Sequence, residues 1–187
     1  MFCQLSPTGK QGNFPTSQVD EWNKRTEIEV PPRLTGGALR MLKVLVSRYP
    51  MKLTKSQLGT FAKMKPRGGS FGTYLSTLKS AEYIVTDGDL LQASQYGIDS
   101  LGEAPNPPQT TAEVLDMWRS NLTGGAKRMF EELVVVYPQK IAKSQLGELV
   151  GMSAAGGSFG TYLSILKSNG LIEVKYDGVK LSDNLFI

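Results

Sequence analysis

Lys55-Ser56-Gln57-Leu58-Gly59 and Gly68-Gly69-Ser70-Phe71-Gly72-Thr73-Tyr74-Leu75-Ser76 return letter for letter, 88 residues downstream, at 143–147 and 156–164. The match runs without a gap from 34–85 to 122–173, with 31 of the 52 positions identical, and Tyr-Pro recurs at 49–50 and 137–138. A repeat of this length is a whole folding unit, because solenoid repeats are shorter and come in three or more. The chain of 187 residues therefore uses one small module twice. Each copy is close to the smallest size that folds unaided.

Both copies follow the order helix, short strand, helix, turn, helix, strand, turn, strand. Over 38–49, Met41, Leu42, Leu45 and Val46 share one stripe, which predicts an amphipathic helix ended by Pro50. Residues 51–53 read as extended. Thr54 and Gln57 have the capping-box spacing, which predicts a second helix over 55–64 that buries Leu58, Phe61 and Ala62. The breaker-rich turn 65–69 leads to a third helix over 70–80, capped by Ser70, with Phe71, Tyr74, Leu75 and Leu78 inward. Strands over 83–86 and 90–93 flank the turn signal Asp87-Gly88-Asp89. Copy 2 predicts helices over 126–137, 143–150 and 158–168, a strand at Ile141, and strands over 171–175 and 179–181. It departs from copy 1 where Ala142 replaces the capping Thr54 and where Ser153-Ala154-Ala155 replaces Lys65-Pro66-Arg67. The fold class expected is mainly α with small β hairpins.

Residues 1–32 show no clear periodicity and read as a loose arm, with a short helix beginning at Val19 and Trp22. Pro31-Pro32 blocks a continuous helix into the module. Between the copies, Pro105, Pro107 and Pro108 mark a semi-rigid spacer over 97–110. Val114, Leu115 and Trp118 mark a linker helix over 111–120 that packs on one of the modules. The expected division is an arm at 1–32, a basic module at 33–96, spacer and linker helix at 97–121, and a near-neutral module at 122–187.

Net charge is +4, but it is unevenly spread. Residues 33–93 carry ten Lys/Arg against three acids, a balance of +7, while 122–187 carry seven against six, a balance of +1. That asymmetry implies an acidic partner for copy 1. No apolar run approaches the length that spans a bilayer, and the first residues lack the apolar core of a signal peptide. The composition reads as a soluble, cytoplasmic protein with no membrane partner. With no His, the commonest general base and the usual Cys/His zinc sites are missing. Cys3 has no evident activating partner, and Asp87-Gly88-Asp89 lacks the other ligands of a calcium loop. The glycines at 68, 69 and 72 match neither a dinucleotide fingerprint nor a phosphate-binding loop. Asn121-Leu122-Thr123 fits a glycosylation acceptor but reads as a helix entry. The expectation is a protein that is not an enzyme, with no catalytic residue, metal or cofactor.

Three helices followed by a hairpin resemble the winged helix-turn-helix family, in two tandem copies covering about two thirds of the chain. KSQLG, GGSFGTYLS and LKS are similar to its second helix, turn and third helix, and IEVKYDGVKLS at 172–182 is similar to its wing. The third-helix phrase with LKSNGLIEV at 166–174 also resembles modules at the C-terminal ends of some prokaryotic DNA-translocating ATPases. No ATPase core is present, so under that likeness the chain is a detached accessory region.

The resemblance implies that the third helix of each copy lies in the major groove of double-stranded DNA, braced by the second. The outward positions of copy 1 are then Ser70, Thr73, Ser76, Thr77 and Ser80, with Lys79 at the flank. Lys65 and Arg67 stand just before that helix, where the free N–H groups of 69–71 and the helix dipole also favour a phosphate. Lys52 and Lys55 border the second helix. In copy 2 the corresponding contacts are Lys143, Ser158, Thr161, Ser164 and Lys167. Few Arg, Asn or Gln stand on these faces, so bidentate base reading is poorly served. Phosphate contacts are expected to supply most affinity, with weak sequence preference and strong salt dependence. The recurrent Phe71/Phe159, Tyr74/Tyr162, Leu75/Leu163 and Leu78/Leu166 need only a shared core. Gly72 and Gly160, inside the third helices, each cost roughly 1 kcal/mol against Ala, which either close helix packing or the close approach of a nucleic-acid backbone would offset. Two rival functions remain: a protein-interaction or dimerisation module, with copy 2 as the docking or self-associating face, and a regulator of one operator sequence.

Overall fold

A computed structural model describes residues 34, 36–102 and 105–186. The expected arm at 1–32, with Cys3, Val19 and Trp22, lies outside the described residues.

Copy 1 begins with α1 (Gly36–Ser47), whose stripe Met41, Leu42, Leu45 and Val46 is buried together with Val44. It continues through β1 (Leu53–Thr54), α2 (Lys55–Ala62), α3 (Gly69–Ser80), β2 (Ile84–Asp87) and β3 (Leu90–Ala93). Two helices follow, α4 (Gln95–Leu101) and α5 (Thr111–Asn121). Copy 2 comprises α6 (Gly124–Val136), α7 (Lys143–Leu149), α8 (Gly157–Ser168), β4 (Ile172–Lys175) and β5 (Gly178–Leu181), with a closing 3-10 turn at Asp183–Leu185. The described chain is thus mainly helical with two small antiparallel sheets, as its periodicities predict. In the first sheet β3 lies between β1 and β2, with Leu53 opposite Leu91 and Ile84 opposite Ala93. In the second, β4 pairs with β5, and Ile141 forms a single bridge to Val179 where β1 stands in copy 1.

Thr54 closes the capping box on α2. Its hydroxyl accepts from the Gln57 N–H at 3.2 Å, and the Gln57 side-chain oxygen accepts from the Thr54 N–H at 2.8 Å. At the same place in copy 2, Gln145 still accepts from the Ala142 N–H at 3.0 Å, but Ala142 has no oxygen to return the bond. Its backbone (φ −65°, ψ 150°) is close to that of Thr54 (φ −72°, ψ 163°). Ala142→Thr is therefore expected to raise stability by about 1 kcal/mol, measured as a shift of the urea midpoint; an unchanged or lower midpoint would show that the box does not form there.

Ser70 does not cap the third helix. The helix starts one residue earlier, at Gly69, with Gly68 in the cap position and no side-chain bond. The spacer is also corrected. Residues 97–101 are helical rather than extended, because Ser94 caps α4 through the Gly97 N–H at 2.9 Å and Gly102 closes it at φ +62°. Gly97 is what lets α4 lie on copy 1: an added Cβ would stand 2.2 Å from the Tyr83 carbonyl oxygen. The proline stretch then runs along copy 1, where the Asn106 N–H donates to the Ser47 carbonyl at 2.9 Å.

The linker helix α5 buries Val114, Leu115 and Trp118 as expected. Trp118 packs on Phe61 of α2 with ring centroids 4.6 Å apart, and the Arg48 guanidinium lies 4.1 Å from the centre of the same Phe61 ring. The described residues, from Leu34 onward, form one compact unit with one continuous apolar core. Among the described residues no helix is long and apolar enough to cross a membrane.

Candidate nucleic-acid interface

The third helix of copy 1 has two chemically distinct sides. Phe71, Leu75 and Leu78 are buried and Tyr74 is half-buried, which anchors one side on α1. Gly69, Ser70, Gly72, Thr73, Ser76, Thr77, Lys79 and Ser80 are exposed and form the other. Copy 2 repeats the division, with Phe159 and Leu166 buried and Ser158, Gly160, Thr161, Ser164 and Lys167 exposed.

Not every hydroxyl on this edge is available as a donor. Thr73 donates to the Gly69 carbonyl and Thr77 to the Thr73 carbonyl, both at 3.1 Å, and Thr161 to the Gly157 carbonyl at 2.9 Å. These threonines keep only acceptor capacity toward an outside group, so donation from the edge falls to the serines and lysines. At the helix start, the Phe71 N–H already donates to the Gly68 carbonyl at 3.1 Å. The open donors there are the N–H groups of Gly69 and Ser70, one fewer than the sequence suggests.

The exposed cations sort the two copies. Lys65 and Arg67 are exposed in the turn that enters α3, and Lys55 and Lys79 are exposed on α2 and α3. None of these four forms an ion pair among the described residues. Lys52 is different: its ammonium bonds the Asp87 carboxylate at 2.7 Å, tying the start of β1 to the hairpin and holding that carboxyl below its ordinary value. Lys140 makes the matching bond to Asp177 in copy 2. There Lys127, Lys175 and Lys180 also face acids. Lys143 and Lys167, the counterparts of Lys55 and Lys79, form no ion pair among the described residues. The difference in free charge between the two helix edges thus reduces to Lys65 and Arg67, which copy 2 replaces by Ser153 and Ala155.

Gly72 and Gly160 resolve one of the alternatives posed by the sequence. An added Cβ at either position meets nothing within 4 Å, so no helix packs closely against them. Two exposed helical positions bear the cost of glycine with no internal compensation. Gly72→Ala is expected to stabilise the free protein by about 0.5–1 kcal/mol while weakening duplex binding severalfold, read by thermal denaturation and fluorescence anisotropy on one preparation. A gain in stability with unchanged binding would remove the glycine from the interface.

The exposure of Tyr176, which the sequence places in the copy 2 turn, and of Val135, Leu149 and Ile165 plays no part in the sequence reading. Tyr176, fully exposed, stands at the tip of the β4–β5 hairpin. Val135 and Leu149 are 79% and 53% exposed on α6 and α7. The uninterrupted apolar run 133–136 was the signal for Val135, since a stripe buries only part of such a run. Among the described residues no cluster of acids and thiols is placed to hold a metal ion. No protein-family model, curated protein or solved structure matches this chain.

Proposed function

We propose that this protein is a tandem winged-helix module that binds double-stranded DNA mainly through phosphates, with copy 1 as the electrostatic anchor and copy 2 as a weaker second contact. The observation that carries the proposal is the exposed edge of α3. Lys65, Arg67 and Lys79, none ion-paired among the described residues, open N–H donors at Gly69 and Ser70, and a glycine with empty space above it lie on α3 and the turn before it, and Lys55 adds a fourth unpaired cation at the start of α2. Phosphates favour such a helix start, and a missing Cβ allows a backbone to come close. The scarcity of Arg, Asn and Gln on the edge favours weak base discrimination over reading of one operator.

The test is a salt titration against two duplexes of unrelated sequence. Four phosphate contacts give a slope of log K against log salt of about −4, with the two sequences bound within a few-fold of each other. Absent binding at low salt, or a flat slope, would defeat the proposal. A large affinity gap between sequences would favour the operator reading.

A second reading has its own support. Val135 and Leu149 are exposed apolar side chains of copy 2 at the positions where copy 1 has Ser47 and the covered Phe61. Exposed apolar side chains of this kind suit a protein partner or self-association. Sedimentation of the free protein separates the readings: a concentration-dependent mass that Leu149→Ser abolishes favours the interaction module.

A further inference from the structure

We propose that the two helix edges engage nucleic acid as one rigid body, with their separation fixed by a joint centred on Asn169, so that the protein selects duplexes long enough to reach both edges. The proposal takes the duplex reading as given.

Asn169 ends α8 of copy 2 and is only 3% exposed. Its side-chain oxygen accepts from the Thr60 hydroxyl of copy 1 at 3.0 Å, and its side-chain amide donates to the Ile165 carbonyl at 2.8 Å. Its backbone carbonyl accepts from the Gln57 side-chain amide at 3.1 Å. The joint therefore connects the second helix of copy 1 directly to the carboxyl end of the third helix of copy 2. Around it, Trp118 packs on Phe61, and Lys63 donates to the Asn121 carbonyl at 2.9 Å. No free tether remains on this path, since α5 is held on copy 1 and α6 begins three residues after α5 ends.

The divergence between the copies follows the joint. Thr60, Phe61, Lys63 and Asn169 correspond to Glu148, Leu149, Gly151 and Ala81 in the other copy. The edge diverged less: Ser70, Thr73, Ser76 and Lys79 recur as Ser158, Thr161, Ser164 and Lys167, while Thr77 is replaced by Ile165. The serines and the lysine of the edge are thus common to both copies, whereas of the joint residues only Gln57 recurs, as Gln145, and each of the other four is found in one copy alone. A heterologous contact repeated in both copies would propagate from chain to chain; made once, it closes within the chain. Rigid linkage matters because a second contact adds affinity only where geometry permits both at once.

The test exchanges joint residues for those of the sibling copy, each of which a copy already accommodates in its fold: Thr60→Glu, Phe61→Leu and Asn169→Ala together. Without DNA, backbone amide relaxation of the wild type is expected to give one rotational correlation time for both copies, and the triple variant two. Across a series of duplexes from about 10 to about 30 base pairs, wild-type affinity is expected to rise by about a hundredfold within a narrow range of lengths. The variant is expected to rise gradually and by less than about tenfold. Separate tumbling of the copies in the wild type, or matching length profiles for wild type and variant, would overturn the rigid joint while leaving the duplex reading intact. No binding of the wild type to any duplex would overturn both.

Discussion

Lys65→Glu combined with Arg67→Glu is expected to weaken duplex binding by about a hundredfold at low salt, a loss of about 2.7 kcal/mol, whereas Lys143→Glu should cost less than about tenfold. Both side chains are exposed and neither is ion-paired among the described residues, so reversal disturbs no contact within the protein. The change acts only on the field before α3. It removes two cations from the end of a helix whose dipole already favours anions and replaces them with charges that repel phosphate. The slope of log K against log salt should fall by about two units. Lys143 stands at the start of α7 in a copy whose other cations mostly face carboxylates, so its reversal alters a weaker field. Fluorescence anisotropy with one labelled duplex measures all three proteins. Equal losses would contradict the division between the copies, and an unchanged melting temperature confirms that the double variant is folded.

Phe61→Ala is expected to lower stability by about 3–5 kcal/mol, as large aromatic deletions from packed cores do. The ring is 6% exposed, packed against Trp118 and lying under the Arg48 guanidinium. Removing it leaves a void beneath α5 and strips a partly buried cation of its aromatic face. Burial lowers the Arg48 pKa, the direction expected when a charge loses water. The matching deletion in copy 2, Leu149→Ala, should cost under about 1 kcal/mol because half of that side chain already meets solvent. Urea denaturation of the two variants side by side reads the contrast. Similar costs would mean that the joint contributes little to the fold.

Much of the architecture was legible in the chain because its signals are local. The stripe on α1, the Thr54–Gln57 box, the hairpin turn at Gly88 and the buried face of α5 each follow from side chains a few residues apart. The repeat doubled the first-helix stripe and the hairpin turn, though not the capping box or the linker helix. The helix α4 does not stand out in the sequence, although Ser94 and Gly102 are good terminal residues for it. Gly97 and the prolines beyond argued for extended chain, and only the proximity of the Tyr83 carbonyl explains why that glycine sits inside a helix. Ser70 is the better capping residue and points to a start of α3 one residue later than the observed one, yet Gly68 occupies the cap.

The candidate interface was legible in part. The outward Ser/Thr positions follow from helical periodicity, and the exposure of Lys65 and Arg67 follows from their place in a breaker-rich turn. The engagement of Lys52 by Asp87, and the return of the Thr73 and Thr77 hydroxyls to their own helix, depend on distances that spacing does not supply. The joint was wholly hidden, because Thr60 and Asn169 are 109 positions apart and no local signal pairs them. The departures of Thr60 from Glu148 and of Asn169 from Ala81 were visible as letters, but their common location was not.

The central claim is that the exposed edge of α3, with the turn before it, is the surface that meets duplex DNA. An amide chemical-shift titration of the isotope-labelled protein with a short random-sequence duplex at low salt addresses it directly. The account predicts that the largest shifts fall on residues 65–80, with Gly69, Ser70 and Gly72 foremost and smaller changes over 157–167. Shifts concentrated instead around Val135 and Leu149, or no shifts at all at low salt, would contradict it.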